Sequence, residues 1–252
     1  MASTSQAILR SLMEAPLLVG DLPEAAVLGR EALELPDPIP SLNLQQKLGH
    51  LYEEAMAMLL EASPGFELVA RGLQLRGDDL KTVGELDFLV RDPECDQLIH
   101  LELATKFYLA VETAGGLELP GPDARDNYFR KLHRLRSHQL GLSSNHRDCL
   151  PKGLRDESIV VRQLLYGCLF DHIDATSPSM PDWSDPECRR GHFPLGAVFQ
   201  VIPKCLWPVP LEYLSEVDLE PWVLPGTINR CVMVRVDGGN VPYFVTPSGY
   251  PK

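Results

Sequence analysis

Three side chains near the middle of this sequence have the types and spacing to do chemistry: Asp87, Glu102 and Lys106. Asp87 lies in Val83-Gly84-Glu85-Leu86-Asp87-Phe88-Leu89-Val90, and the other two lie in Leu98-Ile99-His100-Leu101-Glu102-Leu103-Ala104-Thr105-Lys106-Phe107-Tyr108. Both runs read as strands, and Asp92-Pro93-Glu94-Cys95-Asp96 between them has the composition of a turn. Alternation places Glu102, Ala104 and Lys106 on one face and Leu101, Leu103 and Thr105 on the other. Asp87 shares its face with Glu85 and Leu89. If the runs pair as a hairpin, one register brings Asp87, Glu102 and Lys106 together. Two carboxylates about 4 Å apart repel by roughly 4 kcal/mol at an effective dielectric near 20, so a fold that gathers them supplies a cation or protonates one. Mg²⁺, with Mn²⁺ as a substitute, suits the set, because it takes one or two protein carboxylates together with phosphate oxygens. A lysine on the same face could position a water or neutralise charge developing on a phosphate. The plain alternative is three solvated residues on an exposed strand face.

A helix must precede these strands. From Ser41 a capped helix is expected, with Leu44, Leu48, Leu51, Ala55 and Met58 as one apolar row and Gly49, Met56 and Leu60 as a second. Glu54 falls within the polar arc and Glu53 at its border; Pro64 and Gly65 end the helix. Phe66 to Arg76 reads as a strand and Gly77-Asp78-Asp79 as the turn back, so that 66–76, 82–91 and 98–109 form an antiparallel meander.

This order of a helix carrying Glu, a strand, a strand carrying Asp and a strand carrying Glu with a nearby Lys resembles the PD-(D/E)XK nuclease superfamily. More narrowly, Gly84-Glu85-Leu86-Asp87-Phe88-Leu89 and His100-Leu101-Glu102-Leu103-Ala104-Thr105-Lys106-Phe107-Tyr108-Leu109 resemble a bacterial domain-of-unknown-function family assigned to that superfamily. The resemblance covers roughly residues 42 to 140. It implies an α/β (α+β), restriction-endonuclease-like core, in which a mixed central sheet is flanked by helices, and Mg²⁺-dependent phosphodiester hydrolysis on nucleic acid. Asp87 and Glu102 would then be metal carboxylates, Lys106 the catalytic lysine, and Glu53 an outer-shell acid, since Gly49-His50-Leu51-Tyr52-Glu53 is similar to the first-helix signature. The superfamily's usual lysine lies two residues after the second acid, where this chain has Ala104. Lys106 is four residues on, about 13 Å along an extended strand though on the same face. That departure keeps a second reading open, a nuclease-like module that binds nucleic acid or protein without catalysis.

Asp126 to Gln139 is expected to be a helix with Phe129, Leu132, Leu135 and possible continuation to Leu140 on its apolar side. Its other face is basic. Arg125, Arg130, Lys131, Arg134, Arg136 and Arg147 stand against the single acid Asp126 in a chain of net charge −12. The first five are candidate phosphate contacts beside an acidic metal site, and solvated or salt-bridged residues otherwise. His133 and His138 read as helix-surface residues. The overall charge excludes a surface given over wholly to nucleic acid. Gly115-Gly116-Leu117-Glu118-Leu119-Pro120-Gly121-Pro122 is a loop without a phosphate-cradle signature.

With 252 residues and 44% hydrophobic content the chain can bury one good core with an appended unit. The expected organisation is a wrapping segment over 1–41, amphipathic at its start and then broken by Pro16, Pro23, Pro36, Pro38 and Pro40, a nuclease-like core over 42–150, and a β-rich extension over 151–252 packed on that core. Strands are expected at 159–170, 197–201, 231–236 and 243–246, with a loop over 174–194. Six scattered cysteines without a CxxC pair suit reduced thiols, and no apolar run or leader marks a membrane or secreted protein, so a cytoplasmic location is expected. Cys168 with His172 and Cys188 with His192 could supply four zinc ligands, but their spacing matches no common zinc module. Trp183, Trp207 and Trp222 read as packing residues. The size of the chain also suits a homodimer.

Overall fold

The computed structural model describes residues 2–77, 81–174, 187–236, 239 and 241–251. In chain order its elements are α1 (Ala2–Glu14), β1 (Leu17–Val19), β2 (Ala26–Val27), α2 (Leu48–Ala62), β3 (Glu67–Arg76), β4 (Thr82–Asp92), β5 (Gln97–Leu109), β6 (Val111–Thr113) and β7 (Gly116–Glu118). There follow α3 (Tyr128–Arg134), a π-helical turn Leu135–Gln139, α4 (Leu142–Asn145), β8 (Ile159–His172), β9 (Arg189–Gly191), β10 (Val198–Val201), β11 (Pro221–Val223), β12 (Val232–Arg235) and β13 (Pro242–Val245). The chain is thus α+β with a mixed sheet. It forms two compact units, Met1–Thr105 with Leu132–Tyr166, and Lys106–Lys131 with Gly167–Lys252. Among the described residues no helix is long and apolar enough to cross a membrane.

In the first unit the strands run in the order β8-β5-β4-β3, with β1 antiparallel and β2 parallel to β8. The meander is present: β3 pairs antiparallel with β4, and β4 with β5. Its turn at Asp78-Asp79 lies outside the described residues. Leu75, Leu86, Leu89, Leu98, Leu142 and Leu150 form one buried cluster under β3, β4 and β5, each leucine contributing roughly 1.5–3 kcal/mol through burial. Helix α1 packs on α2 and α2 on β3. α1 buries Ile8, Leu9 and Leu12; α2 buries Leu51, Tyr52, Ala55, Met56, Leu59 and Leu60.

The sequence pattern places the start of α2 at Ser41, but the helix begins at Leu48. Two bonds, one distant and one local, hold the preceding residues out of a helix: the Leu42 N–H donates to Ser5 Oγ at 3.1 Å, and the Gln45 N–H donates to the side chain of Asn43 at 3.2 Å. The second is an Asx turn, which competes with helix formation. Lys47 is still extended, at φ −61 and ψ 142.

In the second unit the order is β11-β10-β12-β13-β9-β8-β5, antiparallel from β11 to β13 and parallel through β9 to β8, while β6 and β7 form a separate hairpin. Strand β9, within the stretch expected to be loop, is stabilised by lying between two longer strands. Edge-to-face rings fill this core: Phe170 with Phe244 at 4.6 Å, Trp207 with Phe244 at 5.0 Å and Phe107 with Trp207 at 5.6 Å. Trp222 packs beside the cluster Phe199, Leu224, Val234 and Val245. Both tryptophans are packing residues; Trp183 lies outside the described residues.

Candidate functional site

Glu102 stands in a buried polar network of the first unit. Its side chain is 2% exposed, and each carboxylate oxygen has a partner. Oε1 meets His100 Nε2 at 2.9 Å, and Oε2 accepts a hydrogen bond from Gln139 Nε2 at 3.0 Å. His100 is fully buried and its Nδ1 lies 3.0 Å from Ser143 Oγ. An ionised carboxylate can only accept, so the hydrogen of the His100–Glu102 bond sits on Nε2, and Nδ1 is left to Ser143. Strand alternation sets His100 and Glu102 on one face of β5. Gln139 ends the π-helical turn and Ser143 lies in α4, four residues later. These groups satisfy one another, the condition under which polar side chains stay buried.

Asp87 lies one residue past the last regular β4–β5 pair. The β4–β5 register runs from Asp92↔Gln97 to Phe88↔Leu101. One further step sets Asp87 opposite Glu102. There the half-buried carboxylate takes over from the ladder, with Asp87 Oδ2 accepting the Leu103 N–H at 2.9 Å. On the β3 side Arg71↔Phe88 and Leu73↔Leu86 bracket Gly72, opposite Asp87, and Gly72 has φ +59. A left-handed residue inside a strand bends the pairing locally, and glycine adopts it without strain. Asp87 and Glu102 are therefore on neighbouring strands, one step beyond the last regular β4–β5 pair.

The other predicted residues are dispersed. Glu53 of α2 is half-buried, with Oε2 3.3 Å from Nδ1 of the exposed His50. Lys106 belongs to the second unit, where its Nζ donates to Asp126 Oδ2 at 2.6 Å. Arg125 makes a two-bond pair with Asp123, at 2.6 and 3.0 Å, and those bonds hold the Asp123 carboxyl down at about 2. Arg130 is exposed and donates to the Arg125 carbonyl at 2.7 Å. Lys131 is half-buried and Arg134 exposed. Arg136 forks onto Glu24 at 2.9–3.1 Å, which lowers the Glu24 carboxyl below its ordinary range. Arg147 donates to the carbonyls of Arg155 and Glu157.

His100, Gln139, Ser143 and Asp126 were not singled out by the sequence pattern. The i, i+2 spacing of His100 and Glu102 and the four-residue spacing of Gln139 and Ser143 carry that signal. Phe129, expected on the apolar side of its helix, is 52% exposed. The helix begins at Tyr128, so Tyr128 and Leu135 take the buried face and turn Phe129 outward. Cys168 and Cys188 lie in or beside β8 and β9, and His192 Nε2 meets the Pro247 carbonyl at 3.1 Å. Among the described residues no group of three or more His, Cys, Asp and Glu side chains is gathered to hold a metal ion.

No curated protein and no solved structure matches the chain. One family model does, over residues 6–201. With that match covering most of its length, the chain belongs to the family described as domain of unknown function DUF1853.

Proposed function

We propose that the chain is a PD-(D/E)XK-type, Mg²⁺-dependent phosphodiesterase acting on nucleic acid. The observation that carries this reading is the β4–β5 register, which on one further step sets Asp87 across from Glu102 where regular pairing ends. The donor set fits: Mg²⁺ takes one or two protein carboxylates and keeps several waters. Each carboxylate oxygen has two acceptor positions, and Glu102 uses one on each oxygen for His100 and Gln139. When bound, the cation would lower the pKa of a water and offset charge on the phosphate. Asp87 and Glu102 would hold it, His100 and Gln139 would fix the rotamer of Glu102, and Glu53 would support from the outer shell. Lys106, the catalytic lysine of the resemblance, would offer an ammonium to a phosphate oxygen, and in the second unit Asp126 competes for it.

Calorimetric titration of Mg²⁺ and Mn²⁺ into the wild type and the Asp87→Asn/Glu102→Gln double variant tests the assignment. Binding that the double variant loses supports it; equal binding by both overturns it. Cleavage of labelled oligonucleotides that survives Asp87→Ala would also sink it. The second reading, a module that binds nucleic acid without cleaving it, is favoured by Ala104 in the usual lysine position and by the Lys106–Asp126 pair. It predicts binding that weakens steeply with salt and ignores metal.

A further inference from the structure

An aromatic ladder climbs from strand to surface in the second unit. The Tyr108 ring on β5 meets Tyr128 edge to face at 5.4 Å, and Tyr128 meets Phe129 at 5.5 Å. Tyr108 is 1% exposed, Tyr128 7% and Phe129 52%. Phe129 thus forgoes much of the roughly 1.5–3 kcal/mol that burial of a large apolar side chain supplies, while a buried tyrosine holds its ring from below. Asn127 fixes the backbone there, its Oδ1 accepting the Phe129 N–H at 3.0 Å and the Arg130 N–H at 3.4 Å. The charges around the ring are sorted. Asp123 is paired with Arg125 and Asp126 with Lys106, whereas the Arg130 guanidinium donates to a neutral carbonyl and has no carboxylate partner among the described residues.

An exposed ring backed by a buried tyrosine, next in sequence to a guanidinium without a carboxylate partner among the described residues, is the combination that binds a single strand: the cation meets the phosphodiester, and the ring takes a base face, which every base has. We infer that Phe129, with Arg130, is a stacking platform for an unpaired base, so that the nucleic acid is single-stranded where it meets this surface. The inference rests on the nucleic-acid reading above and specifies its substrate. A duplex keeps its base faces stacked inside and offers Phe129 nothing to cover.

The test is fluorescence anisotropy of the full chain in EDTA at low salt, with two labelled single strands of about 12 units, oligothymidylate and an abasic sugar-phosphate strand of equal charge. Phe129→Leu, which keeps the apolar bulk and removes the ring, is expected to weaken oligothymidylate binding about 5- to 20-fold and abasic binding less than about 2-fold. Arg130→Gln is expected to weaken both equally. Unchanged oligothymidylate binding by Phe129→Leu, an equal loss on both probes, or a wild-type preference for duplex overturns the inference. If the wild type binds no oligonucleotide, both this inference and the nucleic-acid substrate fail. A Mg²⁺ titration that still depends on Asp87 and Glu102 would leave the metal site standing in any of these cases.

Discussion

Removing Gln139 or His100 takes a donor from a buried carboxylate. Leaving such an acceptor unsatisfied costs about 1–3 kcal/mol, so Gln139→Ala and His100→Ala are each expected to lower stability by about that amount. Glu102→Gln should cost less, because an amide can still accept at one position. Urea denaturation monitored by circular dichroism checks the order of the three. A second titrating group sits apart from this network. Burial pushes the Cys231 thiol up to about 12, with the Arg190 guanidinium opposing. Its proton is bound more tightly in the folded chain than in the unfolded one, where the thiol titrates near about 8.5. The resulting stability is fully present below about pH 8.5 and is lost as pH rises toward 12. The urea midpoint is expected to fall between pH 8 and about 11, and to fall less in Cys231→Val. At this scale the sequence is only half legible. Asp87 and Glu102 stand out as carboxylates among apolar residues, while a buried histidine beside a glutamate reads no differently from a surface pair until a helix is known to cover it.

Two glycines mark where the strands depart from regularity, and they differ in kind. Gly72 has φ +59, and a Cβ there would meet Glu85 Oε1 at 3.6 Å, an ordinary contact. Gly72→Ala is therefore expected to cost about 1 kcal/mol, the price of the backbone angle alone. Gly167 has φ +132, and a Cβ would lie 1.6 Å from the Lys106 carbonyl oxygen. That carbonyl is main chain in the neighbouring strand and cannot turn aside. Gly167→Ala is expected to cost roughly 3 kcal/mol or more, and thermal melts of the two variants should separate clearly. The meander β3–β4–β5 was legible because alternation and short turns are local signals. Strand β9 was not, since Arg189, Arg190 and Gly191 become a strand only when longer neighbours pair with them. The start of α2 is hidden from the sequence for a related reason: Ser5, far away in sequence, takes the Leu42 N–H.

At the scale of the whole molecule, the borders of the two units fall inside β5, inside α3 and inside β8. No proline cluster or glycine run marks them, and the basic stretch Arg130 to Arg136 runs across the middle one without a break, because a border set by long-range pairing leaves no local composition. Neither unit is a continuous piece of sequence. A fragment ending at residue 150 lacks β8, the strand beside β5, and is expected to melt without a cooperative transition by circular dichroism. A fragment ending at Val201, where the family match stops, lacks β11, β12 and β13. It is expected to keep a cooperative first unit, read by circular dichroism, without the Trp207 and Trp222 packing of the second. The interleaving also orders events during synthesis. Residues 106–131 leave the ribosome before 132–166, so the first unit cannot set β8 against β5 until part of the second has already emerged. At about 5–20 residues per second, β5 waits roughly 3–10 s for that partner. For that interval the strand bearing Glu102 has an unpaired edge, the kind of surface chaperones cover and aggregates recruit.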